Sequence, residues 1–465
     1  MNSQTMEGFG ASGAWWTNDL NKFPLAVKQE VASALFTSQP SALAPNGGIA
    51  LSGYRYNIGG GGVGVTTPDR AQPLPTEKAD PGGLWFLKAA ANAGVPELTG
   101  FVNSAPARFT SNTKSCGGTL PGGNITAFAN YLTNVVSRIS AQDGVALTYV
   151  SPMNEPDNNF GSCSQEGMSV PVSERGQLVQ TLGNDLATLP TKPKVIADET
   201  SAVIVAAIND PTWINAAGSK ERIAAVAHHT YDFPTASFRR NLHRALSGTG
   251  LASWMTEICC YKGSGGMLTS FGSQYDPTIT QGLWLADEIA KDLLQTHDSA
   301  WYWWTALSPV MGCDPAVGNC ATKVNQEGSN DGLLYYNGSY GGDPNLGGRP
   351  DYTLTTTKRF FVLGQFSRFV PVGSVLHEVT GTPPGVRALA FHHGSSWSFI
   401  TWNDGASASN FSVALPARNL SATSATVTSV TQSLAPSALP TSSGTNAWAI
   451  ALSPHSIMSV TFTAH

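Results

Sequence analysis

Two glutamates stand where catalytic chemistry would be placed. Glu155 follows the apolar run Leu147-Thr148-Tyr149-Val150 within Ser151-Pro152-Met153-Asn154-Glu155-Pro156, where Pro156 stops a strand's hydrogen-bond ladder and turns the chain. Glu257 closes a second such run, Leu251-Ala252-Ser253-Trp254-Met255-Thr256-Glu257. Either one alone reads as half of a structural ion pair at a strand end. A pair ending two different strands, in a chain with only 12% charged residues and 12 Trp, 12 Tyr and 19 Phe, points to carboxyls that work together. Glycosidic bond cleavage needs two of them: one gives a proton to the departing oxygen, and the other, ionised, attacks or steadies an oxocarbenium-like carbon. A gap of ~5 to 5.5 Å makes the second a nucleophile and retains configuration, whereas ~6.5 to 9.5 Å admits a water and inverts it. The spacing in sequence leaves both open.

Rival chemistries have weaker support. Gly59-Gly60-Gly61-Gly62-Val63-Gly64 contains G-x-G-x-x-G after a strand, but a dinucleotide loop needs a helix to start at the glycines, and Thr66, Thr67, Pro68, Pro73 and Pro75 follow instead. No G-x-S-x-G elbow exists for a serine hydrolase. Among six cysteines, Cys313 and Cys320 enclose a short loop and are expected to pair, and Cys116 and Cys163 form a plausible second bridge between Gly-rich loops. Adjacent Cys259 and Cys260 are either two buried thiols or a vicinal bridge. No C-x-x-C or spaced His/Cys set accompanies them, so no metal site is expected, and no cofactor.

The elements that must carry the glutamates follow from hydrophobic pattern. Through about residue 370, short β-rich runs at 8–10, 54–59, 98–103, 147–153, 194–198, 223–229, 251–258 and 300–307 alternate with helical stretches such as 84–93, 127–139, 174–189 and 279–296. Eight alternations favour a closed (β/α)8 TIM barrel, an α/β fold whose active sites lie at the C-terminal ends of the strands. Glu155 and Glu257 then end the fourth and seventh strands. After the helical stretch 356–369 the sequence turns to Thr, Ser, Val and Ala in short alternating segments, which reads as an associated small antiparallel β-sandwich side domain. The division expected is 1–369 for the barrel and 370–465 for the sandwich, the first few residues being candidates to join the latter. Without a linker, the two should pack as a rigid pair.

Composition narrows the partners. At 465 residues the chain is about three times a typical ~150-residue domain. A net charge of −5 leaves no cationic excess for phosphates or anionic lipid, so neither nucleic acid nor membrane is expected, and no apolar run approaches the ~18 to 20 residues that span a bilayer. Few charges, a surface left to Ser, Thr, Asn and Gly, and sequons at Asn124, Asn337, Asn410 and Asn419 fit a secreted, extracellular protein in mature form.

With Asn154-Glu155-Pro156 and Trp254-Met255-Thr256-Glu257, the chain resembles clan-A glycosidases, and the motifs around them resemble glycoside hydrolase family 30. Glu7-Gly8-Phe9-Gly10-Ala11-Ser12, Tyr54-Arg55-Tyr56-Asn57-Ile58-Gly59 and Phe101-Val102-Asn103-Ser104-Ala105-Pro106 are similar to its first three strands. The stretch from Lys358 to Phe369 is similar to its last barrel helix, and Leu452-Ser453-Pro454-His455-Ser456 to the closing strand of its side domain. The resemblance implies a retaining mechanism with Glu155 as general acid/base and Glu257 as nucleophile. It places Arg55 beside the nucleophile, Asn154 on the sugar 2-hydroxyl and Tyr231 on the nucleophile by a hydrogen bond. Asn103, His229 and Trp304 complete the substrate-binding set, Trp304 as a stacking aromatic. His228, facing the other way on period two, is expected to be structural. Arg108 stands where many family members carry an aromatic. With the four-glycine loop, the Cys116-Gly117-Gly118 loop and Thr305, it makes the chain most similar to the endo-β-1,6-galactanase branch.

The expectation is therefore a secreted, monomeric, retaining endo-glycosidase acting on β-1,6-galactan side chains of arabinogalactan. Within the class, β-1,6-glucanase and xylanase are the alternatives. Outside it stands a non-catalytic carbohydrate-binding protein, against which the presence of both glutamates argues.

Overall fold

The computed structural model describes residues 4–216, 218–263, 270–315, 318–341, 348, 350–416 and 419–464. Eight parallel strands close into a barrel: Gly8–Ser12 (β1), Gly53–Asn57 (β2), Glu97–Phe101 (β3), Tyr149–Ser151 (β4), Lys194–Thr200 (β5), Ile223–His229 (β6), Ala252–Glu257 (β7) and Asp298–Trp303 (β8). They neighbour one another in sequence order, and β8 pairs back on β1 with Trp301 opposite Phe9.

The barrel interior is filled by Tyr149, Trp254 and Tyr302 against Ile196, Ala225, Ala227 and Ala300. Glycines make room for the largest of these rings. A Cβ at Gly10 would fall 2.3 Å from Tyr302 Cε1, and one at Gly53 2.1 Å from its hydroxyl oxygen. Alternation along β8 sends Trp301 and Trp303 outward instead, where their indoles donate to Asp292 Oδ2 (3.0 Å) and the Asp331 carbonyl (2.6 Å). The expected eighth strand, 300–307, is not one strand. After Trp303 the chain leaves the barrel, and Thr305–Ser308 (β9) pairs in parallel with Gly332–Tyr336 (β10), itself antiparallel to Leu354–Thr356 (β11).

Helices Leu25–Phe36, Pro81–Asn92, Ile125–Arg138, Val172–Leu186, Val203–Ile214, Ala236–Ser247 and Ile279–Lys291 lie between the strands. One more, Lys358–Ser367, is buried along nearly its whole length. It is sandwiched between the barrel and a six-stranded antiparallel sheet ordered Val375–Glu378 (β12), Val386–His393 (β13), Ser396–Asn403 (β14), Ser456–Ala464 (β20), Leu420–Ser429 (β16) and Ala435–Pro436 (β17). A second sheet of Ser409–Ala414 (β15), Ala447–Leu452 (β19) and Thr441–Gly444 (β18) covers the other face. Their shared core includes Phe399, Trp448, Val460 and Phe462.

Polar contacts pin this side unit to the barrel. Gln365 Nε2 donates to Thr428 Oγ1 at 2.9 Å, and Trp402 Nε1 to Asp287 Oδ1 at 2.6 Å. Thr5, ahead of β1, bridges antiparallel to Val375, beginning a row that continues through His392 and Trp397 to Phe462.

Three disulfides are present: Cys116–Cys163, Cys313–Cys320 and the vicinal Cys259–Cys260. Of the sequon asparagines, Asn410 and Asn419 are exposed. The Asn124 and Asn337 amides instead donate to the Phe109 carbonyl (2.8 Å) and Asp351 Oδ2 (2.9 Å). No helix among the described residues is long and apolar enough to cross a membrane.

Candidate active site

Glu155 and Glu257 converge at the C-terminal mouth of the barrel. One carboxylate oxygen of each and a ring nitrogen of His229 lie within 4.8 Å of one another. Glu257 is the last residue of β7 and is 4% exposed. Arg55 Nη1, from β2, three strands away around the barrel, donates to its Oε2 at 2.9 Å, and the Tyr231 hydroxyl donates to its Oε1 at 2.8 Å. Glu155 stands four residues beyond β4 in the left-handed region (φ 46°), held there by a backbone hydrogen bond from its N–H to the Glu199 carbonyl at 3.0 Å. It is 8% exposed, the more accessible of the two.

His229 joins them. Its Nδ1 lies 3.1 Å from Glu155 Oε1 and 3.8 Å from Glu257 Oε1, and its Nε2 lies 3.1 Å from Glu199 Oε2. Glu199, next to last in β5, is fully buried and also meets Arg55 Nη2 at 3.3 Å and the Thr256 hydroxyl. Burial disfavours the His229 imidazolium, but the Glu257 charge and the hydrogen bonds to Glu155 and Glu199 outweigh it and raise the pKa to about 9. Burial works against the Glu199 carboxylate as well; Arg55 and His229 overcome it and hold the group down to about 2. Glu257 is pushed up by burial, with His229 and Arg55 pulling the other way and Glu155 adding to the rise.

Three carboxyls thus face two cations in a water-poor pocket. The donors on both oxygens of Glu257 suit a carboxylate, and with Glu199 also ionised the two negative charges balance Arg55 and the His229 imidazolium. Glu155, His229 and Glu257 also have the donor set of a metal site. An imidazolium whose two nitrogens both donate to carboxyl oxygens has no lone pair for a cation, so the cluster reads as an acid–base site.

The sequence model of O-glycosyl hydrolase family 30 matches residues 75–317, just over half of the chain and a stretch that holds both glutamates. The chain belongs to this glycoside hydrolase family. No curated protein matches it in sequence. Among solved structures, a conserved exported protein from Bacteroides fragilis is similar over 99% of this chain and 98% of its own, at 20% identity and a TM-score of 0.80. The catalytic domain of the family 30 xylanase C from Talaromyces cellulolyticus covers 99% and 98% at 20% identity and a TM-score of 0.73. An endo-β-1,6-glucanase covers 100% and 92% at 17% identity and a TM-score of 0.70. At these identities the likeness speaks for the fold, a family 30 (β/α)8 barrel with its β-sheet side unit.

Within this family 30 barrel the expected residues divide into those that meet and those that stand apart. Glu155, Glu257, Arg55, His229 and Tyr231 form one bonded cluster, and Asn154 joins it through a long contact from Arg55 Nη2 to its Oδ1 (3.5 Å). Asn103 is buried beyond β3 with its Nδ2 unpartnered, and no hydrogen bond links it to the carboxyls. Trp304 is half-buried and packs edge-on against Trp15, ring centroids 5.2 Å apart. His228 turns away, its Nε2 3.0 Å from buried Asp298 Oδ1, as a structural histidine would.

Glu199 was not foreseen. The signal was available: Asp198-Glu199-Thr200 ends the fifth β-rich run as Glu155 and Glu257 end theirs. The four-glycine loop begins no long helix, and the N–H groups of Gly60 and Gly62 donate to the buried Glu166 Oε1 at 3.2 and 3.0 Å. With Arg108, this loop lines a cavity of about 390 Å³ between the second and third loops of the catalytic face.

Proposed function

We propose that the protein is a secreted retaining endo-glycosidase that cleaves β-1,6-linked galactan side chains of arabinogalactan. The observation that carries the retaining mechanism is the approach of the Glu155 and Glu257 oxygens to within 4.8 Å, close to the ~5 to 5.5 Å of retaining pairs and short of the ~6.5 Å that an intervening water needs. In the first step Glu257 attacks the anomeric carbon while Glu155 passes its proton to the leaving oxygen. In the second, Glu155 takes a proton from water, which displaces Glu257 from the sugar with configuration restored.

Arg55 and Tyr231 hold the nucleophile ionised and aimed, and Asn154 is placed to bind the sugar hydroxyl next to the reacting carbon. Asn103 and Trp304 complete the saccharide contacts, Trp304 offering a ring to an apolar sugar face. The galactan assignment is supported by the four-glycine and Cys116 loops and by Arg108. The xylanase and endo-β-1,6-glucanase among the similar structures favour xylan and β-1,6-glucan as the alternatives.

Incubation with β-1,6-galactan, β-1,6-glucan and xylan, with sizing of products and NMR of the first anomer released, tests both parts. Galacto-oligosaccharides in the β configuration are expected. Initial α product overturns retention, and cleavage of another polymer alone overturns the substrate.

A further inference from the structure

We propose that Phe271 is a saccharide platform at the rim of the cleft, holding the sugar unit next to the one that reacts; the inference rests on the glycosidase reading above. Nearly every large aromatic of this chain is buried or half-buried, yet Phe271 is 51% exposed. Its ring lies 5.8 Å from that of Tyr231 at 84°, an edge contact, and the Tyr231 hydroxyl reaches Glu257 at 2.8 Å. The exposed ring therefore sits one aromatic ring beyond the nucleophile's own hydrogen-bond partner. That is too far out to touch the reacting carbon and well placed for its neighbour along a saccharide chain.

The local backbone is built to present it. Cys260, bridged to Cys259, has φ 64° and turns the chain sharply out of β7 three residues after Glu257. Tyr261 then bridges antiparallel to Phe271, flanked by hydrogen bonds from Lys262 N–H to the Ser270 carbonyl (2.8 Å) and from Gly272 N–H to the Cys260 carbonyl (3.1 Å). The Tyr261 ring stacks flat on Trp284, centroids 4.4 Å apart at 1°, so this paired segment is anchored to the barrel's helical layer. An exposed ring on a paired backbone suits the apolar C–H face of a pyranose, because the backbone that carries it need not be ordered on binding.

The test compares wild type, Phe271→Ala and Phe271→Trp on β-1,6-galacto-, β-1,6-gluco- and xylo-oligosaccharides, and on the glycosyl fluoride of the accepted sugar, which fills only the reacting position. Phe271→Ala should raise KM for the oligosaccharide by about fivefold to thirtyfold, the range for truncating an aromatic anchor, with the fluoride rate and Tm unchanged. Phe271→Trp should restore the lower KM. An unchanged KM in Phe271→Ala, or an equal loss on the fluoride, overturns the platform. Cleavage of a different oligosaccharide by the wild type overturns only the galactan assignment, and the platform is then read on that sugar. Failure of the Glu257→Gln protein to bind any of the three by calorimetry overturns both.

Discussion

Glu155 and Glu257 share one small space with two cations, and the roles assigned to them predict separable losses. Glu257→Gln keeps the size and most hydrogen bonds of the side chain but removes the nucleophile, so turnover should fall by more than about 10³-fold with Tm near wild type. Glu155→Ala should spare substrates with good leaving groups in the first step, and azide should restore part of the rate by replacing the missing base as a small nucleophile. Stopped assays over a leaving-group series check this, and a uniform unrescued loss would contradict it. His229, held at about 9 largely by its acidic neighbours, should set an alkaline limb of kcat/KM near that pH. Glu199→Gln removes one of those neighbours, so the limb should move to lower pH in a pH–rate profile. The paired strand-end glutamates were legible because both close apolar runs. Glu199, next to Asp198 at the end of the fifth run, carried the same signal, whereas Phe271 lies in a segment without periodicity and carried none.

At the scale of elements, the loop that carries Glu155 is braced from outside the barrel. Cys116–Cys163 joins it covalently to the loop after β3, Thr66 N–H bonds the Cys163 carbonyl at 2.8 Å, and the two-residue strands Gly118–Thr119 and Met168–Ser169 pair beside it. Asp157, two residues past Glu155, is clamped by Arg175 at 2.6 Å, and Arg175 also holds Asp198 at 2.7 Å. The double variant Cys116→Ser/Cys163→Ser should lose about 2 to 4 kcal/mol of stability in denaturant unfolding. It should also raise KM for oligosaccharides more than for a glycosyl fluoride, since the fluoride fills only the reacting position and leaves without needing a proton from Glu155.

Barrel strands could be found from composition because each is a short β-rich run ending in polar residues. The break between β8 and β9 could not, since Trp304 carries no turn signal and only the partner strand Gly332–Tyr336 decides where Thr305 goes. The helix Val203–Ile214 was obscured in a similar way, by Pro211 inside it.

The whole molecule keeps several carboxyls out of water, and that sets its response to pH. Burial pushes Asp80 and Glu97 up to about 7 and Glu166 up to about 8. Each stays protonated in the folded chain where the unfolded chain has released its proton, so folding stability falls as pH rises from about 4 to 8. His229 acts in the same direction: its contribution is complete below about 6.5 and lost as pH climbs through about 9. Glu199, held near 2, contributes stability that disappears only as pH drops below about 4.5. Urea unfolding across this range should therefore place maximum stability on the acidic side of neutrality, near pH 5, with a continuous decline toward pH 9. A maximum above pH 8 would show that these groups titrate normally.

The row that runs from Thr5 through Val375, His392 and Trp397 to Phe462 crosses four strand-to-strand steps, about 19 Å at the usual ~4.8 Å spacing. Because Thr5 precedes β1, that row starts at the barrel end opposite the carboxyls. A peptide tether attached ahead of Thr5 will therefore leave from the rear of the enzyme, and molecules immobilised through it will turn their clefts outward to a dissolved polymer.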